Sequence, residues 1–125
     1  PYQPADKLAE SLSVGDVHLS ALAPELEGYL VPSKIYGVAS AGRPILHVGA
    51  ADGEISELAR QAGWGDGIQQ GDAAALVRAV MSLREDPERC RSAGQAGRRL
   101  AEARFDRAIA VDRWAAVLDA QRGRG

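Results

Sequence analysis

Hydrophobic positions recur along this chain with two alternating periods, and the switches between them predict strands set among helices. Ala5, Leu8, Ala9 and Leu12 fall at i, i+3, i+4 and i+7, which predicts a helix over residues 4–14 that Gly15 ends. Residues 16–22 read as a strand with Val17 and Leu19 on one face. Residues 23–30 hold Pro24, Glu25, Glu27 and Gly28, a loop composition. Helical spacing returns over 33–41, where Ile35, Val38 and Ala39 face the core. Pro32 suits the start of that helix, since it has no amide hydrogen to leave unpaired. Gly42 suits its end, where positive φ is needed, and Pro44 forbids continuation. Ile45 to Val48 is a short, largely apolar run, the mark of a buried strand.

The second half is mostly helical. Asp52 is placed to cap a helix that turns Ile55, Leu58, Ala59 and Ala62 inward. Gly63, Gly65 and Gly67 predict a loose turn into a short strand near Ile68. Asp72 caps a helix over 73–84 expected to bury Leu76, Val77, Val80, Met81 and Leu83. Asp86-Pro87 pairs a cap with a first-turn proline, and Gly94 and Gly97 in the helix that follows predict close approach to a neighbour. Asp106 opens a last helix with a stripe of Ala108, Val111, Ala115 and Leu118 beside Trp114. Residues 1–121 thus read as one domain and 122–125 as a frayed tail. The fold class is α/β: a small Rossmann-like parallel sheet, about Val17, Ile45 and Ile68, with helices on both faces. Ligands of such sheets bind beyond the carboxyl ends of the strands, so the loops 23–32 and 49–53 are expected to line one crevice.

Composition narrows the function. At 125 residues the chain can bury a real core, and a net charge of −2 gives no basic footprint for nucleic acid. No apolar run approaches the ~20 residues of a membrane-spanning helix, and the first residues lack the pattern of a signal peptide. The first residue is Pro1, not Met, and processing, truncation and excision from a longer protein are all open. A single cysteine, Cys90, allows no internal disulfide and reads as a surface or half-buried structural thiol in a reducing, cytoplasmic setting.

Lys34 is the first sign of chemistry. Cations prefer the carboxyl end of a helix, so a lysine in the first turn makes sense if an anion docks there. Ser33 and Lys34, with helical amides behind them, are therefore candidate phosphate contacts. The alternative is an ordinary cap and a solvated lysine. Arg43 is a weaker phosphate candidate. His18 and His47 lie in strands and read as structural histidines, and Trp64 and Trp114 as packing residues. No spacing of His, Cys and acids suggests a metal, so neither metal nor resident cofactor is expected. The glycines of 63–67 precede a strand and do not open a helix, the wrong context for a dinucleotide loop.

Several of these pieces together resemble a known family. They are Tyr2-Gln3-Pro4 before a helix, Gly15-Asp16-Val17-His18-Leu19, Pro32-Ser33-Lys34-Ile35-Tyr36, Ala41-Gly42-Arg43-Pro44-Ile45, Asp52-Gly53-Glu54-Ile55, Gly71-Asp72, Asp86-Pro87 and the run Phe105 to Trp114. Their order resembles the carboxyl-terminal, donor-binding part of retaining glycosyltransferases of the GT-B fold, nearest to those that build bacterial surface polysaccharides. The resemblance implies a partial carboxyl-terminal domain, incomplete at its amino-terminal side, that binds a nucleotide-diphosphate sugar. It implies a partner domain for a saccharide or lipid-linked acceptor, with any peripheral contact at the inner membrane face made through that domain. It adds Gly53 and Glu54 as donor contacts. Many members carry two glutamates with seven residues between them. Here those positions fall at Tyr29 and Gly37, so a ribose contact is missing at Gly37, with Glu25 or Glu27 in the preceding loop as substitutes. The catalytic residues stay unassigned, and the chain alone is expected not to turn over. The rival readings are a non-catalytic, helix-rich interaction module that self-associates, and a sugar-nucleotide epimerase of the same fold.

Overall fold

A computed structural model describes residues 7–122. Three parallel strands form the sheet, β1 (His18–Ala21), β2 (Ile45–Gly49) and β3 (Gly65–Gln69), in the order β1-β2-β3. His18 pairs with Ile45, and Ile45 with Gly65. Before and between the strands lie α1 (Leu8–Val14), a short 3₁₀ turn (Pro24–Leu26), α2 (Lys34–Ser40) and α3 (Glu54–Gln61). Three helices follow: α4 (Ala73–Glu85), α5 (Pro87–Leu100), which runs into a π-helical turn at Ala101–Phe105, and α6 (Arg107–Arg122). The α/β architecture expected from the alternating periods is present. Residues 4–6 of the first expected helix, the Tyr2-Gln3-Pro4 motif and residues 123–125 lie outside the described residues, while α6 extends through Arg122.

Both faces of the sheet are covered, which is why β2 reads as a largely apolar run without alternation. On one face Ile35, Val38 and Ala39 of α2 meet Ile45, Ile55, Ala59, Trp64 and Leu100. On the other, Leu46, Ile68 and Leu83 form a smaller core with Val17, Val48 and Leu76 packed against it.

Helix ends follow the local chemistry. Gly42 has φ +66°, and the amides of Gly42 and Arg43 donate to Ala39 O and Val38 O, closing α2 in a Schellman motif. Gly63 repeats the arrangement at the end of α3: φ is +68°, and Gly63 and Trp64 donate to Arg60 O and Ala59 O. The expected loose turn at 63–67 is thus a helix closure followed by a strand. A side chain at Gly65 would collide with the Ile45 carbonyl and one at Gly67 with Ser56, so α3 and β2 pack where bulk would sit. Asp72 and Asp86 cap as expected, accepting from Ala75 N at 2.8 Å and Arg89 N at 2.9 Å. Asp52 does not: Gly53 is the N-cap of α3, without a side-chain hydrogen bond. Gly94 lies against the backbone of Gly42, and Gly97 against the edge of the Trp64 indole, the close approaches the glycines predicted.

Three apolar stripes are less buried than their spacing suggests. α1 buries none of its residues, and only Leu12 packs on the core. In α4, Leu83 is buried while Val77, Val80 and Met81 are exposed, because the sheet beneath is only three strands wide. In α6, Val111, Leu118 and Trp114 (67% exposed) face solvent, since this helix touches the rest of the chain chiefly through the π-helical turn. Trp64, by contrast, is fully buried and donates its indole N–H to Arg43 O at 2.7 Å. Among the described residues, no helix is long and apolar enough to cross a membrane.

Candidate functional site

At the carboxyl end of the sheet the two expected loops meet. The amide of Leu22 donates to Val48 O, bringing the chain that leaves β1 alongside the end of β2. Gly49 permits the approach, since a Cβ there would lie 2.8 Å from Leu22 O. The loop after β2 is tied down on several sides: Ser56 Oγ donates to Ala50 O at 2.7 Å, Ala51 N to Gln69 Oε1 at 3.1 Å, and Arg60 to Ala51 O. The loop after β1 is held by its 3₁₀ turn, with Leu26 and Glu27 donating to Ala23 O and Pro24 O.

Glu27 and His47 meet where these two loops join. His47, in the middle of β2, is fully buried, and its Nδ1 lies 3.3 Å from Ser20 Oγ of β1. Its Nε2 faces Glu27 Oε1 at 4.0 Å, too long for a hydrogen bond. Both atoms are buried and neither has a partner. Such atoms are rare and expensive, so a pair of them facing one another requires a reason. An oxygen about 2.8 Å from each would see them at roughly a right angle, so a hydroxyl admitted by a shift of the Glu27 side chain would bridge the pair. When Ser20 donates to Nδ1, Nε2 carries the proton, and the pair offers one donor and one acceptor. Burial pushes the His47 pKa below its ordinary value, against a smaller upward pull from Glu27. The imidazole is accordingly neutral at neutral pH.

The remaining candidates separate by position. Gly53 belongs to the crevice: a Cβ on it would sit 2.5 Å from Glu27 Oε1, so the carboxylate rests on the bare backbone of the loop. Lys34 reaches back to β1, its Nζ 3.4 Å from Leu19 O, one residue before the serine that holds His47. Ser33 is exposed, has helical backbone angles and makes no capping side-chain bond, so α2 begins at Lys34 without it. Glu54 is exposed and lines a different hollow, with Tyr36, Arg104 and Phe105. Gly37 faces α1, where a Cβ would lie 2.8 Å from Leu12 Cδ1, so packing accounts for it. Arg43 is at the opposite end of the sheet, before β2, and is not brought to the crevice.

His47 is buried in its strand, as a structural histidine is expected to be, but only one of its ring nitrogens has a partner. His18 is the structural histidine expected, its Nε2 2.7 Å from Leu12 O, but His47 leaves its Nε2 unpaired. The available signal was a histidine inside an otherwise apolar strand with a glutamate in the preceding loop. Among the described residues, no group of His, Cys, Asp and Glu is arranged to hold a metal ion. Compared with protein-family models, curated proteins and solved structures, the chain matches none.

Proposed function

We propose that this chain is the donor-binding part of a glycosyltransferase, taking a nucleotide-diphosphate sugar in the crevice between the loops 23–32 and 49–53. One observation carries the reading: Glu27 Oε1 and His47 Nε2, buried and unpaired, face each other at 4.0 Å, a separation that one ribose or sugar hydroxyl would bridge. Lys34 is the cation available for the diphosphate. As the glycosidic bond breaks, its ammonium would offset the charge that grows on the leaving group, a form of help worth most where water is excluded. The acceptor and the closure of the site would come from a second domain. The resemblance in the order of the Pro32-Ser33-Lys34 and Asp52-Gly53-Glu54 segments supports the same reading.

Titration with uridine and guanosine diphosphates, followed by calorimetry and by the thermal midpoint, tests it. One-site binding at a hundredfold excess over Kd adds about 2.7 kcal/mol. With an unfolding entropy of roughly 0.26 kcal/mol/K for a chain of this length, the midpoint rises by about 10 °C. No shift at millimolar nucleotide would refute the proposal. A second reading, a module that binds a protein partner, is favoured by the exposed Val111, Trp114 and Leu118 of α6. Concentration-dependent association without nucleotide binding would be its signature.

A further inference from the structure

A cavity of about 610 Å³ opens at the other end of the sheet, below the start of β2 and between α4 and α5. Its volume lies within the range of small-molecule sites. Val17, Pro44 and Leu83 make an apolar wall. Three arginines line the same space, Arg43, Arg84 and Arg91, against a single acid, Asp16. Glu88, outside the lining, pairs with Arg91 at 2.5 Å but is itself exposed. Asp86 also lies near enough to act on Arg91, whereas Arg84 makes no ion pair among the described residues and is the cavity's freest cation.

Arg43 gives the sharper sign. Its Nη2 donates to Ser13 O at 2.7 Å, whereas its Nε is buried and has no partner. That Nε is shut off from the cavity, but the guanidinium lines it, and its donors form a fork matched to planar or tetrahedral oxyanions. Apolar wall and cationic rim together point to a ligand with a hydrocarbon body and an anionic head.

We propose that this cavity binds a small organic anion, an aryl or alkyl carboxylate, sulfonate or phosphate, at a site separate from the sugar-nucleotide crevice. The two openings lie at opposite ends of β2, roughly 13 Å of strand apart, and the proposal does not depend on the glycosyltransferase reading.

Calorimetric titration with 1-naphthalenesulfonate, beside the neutral 1-naphthylmethanol, tests it. Two variants isolate the features. Arg84→Gln with Arg91→Gln removes the exposed cations, whose surface pairing contributes little to stability. Val80→Trp, at a half-exposed wall position of α4, fills the cavity. The wild type is expected to bind the sulfonate at one site, about tenfold tighter than the alcohol, with at least a tenfold loss in each variant. Thermal midpoints confirm that the variants remain folded. Absence of saturable heat with the wild type overturns the proposal, as does equal binding of the alcohol or wild-type affinity in either folded variant.

Discussion

Gly53→Ala separates folding from binding, and the geometry says how far. Gly53 has φ −70° and ψ 163°, angles open to any residue, so alanine meets no backbone strain. Its methyl would sit 2.5 Å from Glu27 Oε1 and 2.7 Å from Cδ. These atoms end a flexible side chain, so the carboxylate moves aside, while the backbone oxygen of Ala50, 3.1 Å from the methyl, gives by a few tenths of an ångström. Stability then reflects two small opposing effects. Alanine at an N-cap costs about 0.5–1 kcal/mol relative to glycine. Reduced freedom of the unfolded chain returns about 0.4–1 kcal/mol. The thermal midpoint should stay within about 3 °C of wild type. Nucleotide binding responds differently. Displacing Glu27 removes a charged hydrogen bond to the ligand hydroxyl, worth about 1.5–3 kcal/mol, or roughly 10- to 150-fold in Kd. Calorimetry with the nucleotide that binds wild type reads this directly. An unchanged Kd at an unchanged midpoint would show that Glu27 does not touch the ligand, and the hydroxyl site would fall with it.

Other expectations follow from the same structure. Because burial lowers the folded pKa of His47, the unfolded chain binds the proton more readily. The stability due to this group is therefore complete above pH 6.5 and is lost as pH falls through the depressed folded value. Urea unfolding of wild type between pH 7.5 and 5 should show that loss, and His47→Gln should flatten the slope whatever its effect on stability at pH 7.5. Gly94→Ala gains about 1 kcal/mol of helix propensity but drives a methyl into the Gly42 backbone, which cannot swing away. Overpacking of about 1–3 kcal/mol outweighs the gain, so the midpoint should fall, while Gln95→Ala on the exposed side of the same helix should leave it within about 2 °C. Asp86→Ala, which removes the acceptor for Arg89 N, should cost about 1 kcal/mol by chemical denaturation.

The readable parts of the chain were those decided within a few residues. Pro87 and Asp86 set a helix start, Gly42 a helix end, and Ile35, Val38 and Ala39 a buried face, because each rests on local geometry or on a single period. What stayed hidden depended on neighbours distant in sequence. The strand near Ile68 was legible, but not its start at Gly65, since its two glycines answer to Ile45 and Ser56. The stripes on α4 and α6 carry the right spacing, but spacing does not say whether a partner surface lies opposite. For the site, convergence of the two loops was legible from the rule for parallel sheets, and Gly53 and Glu27 share the crevice as that rule implies. The placement of Arg43 was not legible, because turn chemistry beside a strand does not reveal which end of the sheet carries the ligand. The unpaired nitrogen of His47 was not legible, because a strand histidine usually finds two partners and this one finds only Ser20.

β3 inverts an ordinary expectation about mutational tolerance. Its sequence, Gly-Asp-Gly-Ile-Gln, has the look of a linker that evolution could freely rewrite. Two of those sites nevertheless border atoms that leave no space for even a methyl group. Saturation mutagenesis would then find its steepest intolerance at Gly65 and Gly67, the least hydrophobic stretch of the sheet, and its widest latitude along the apolar outer faces of α4 and α6.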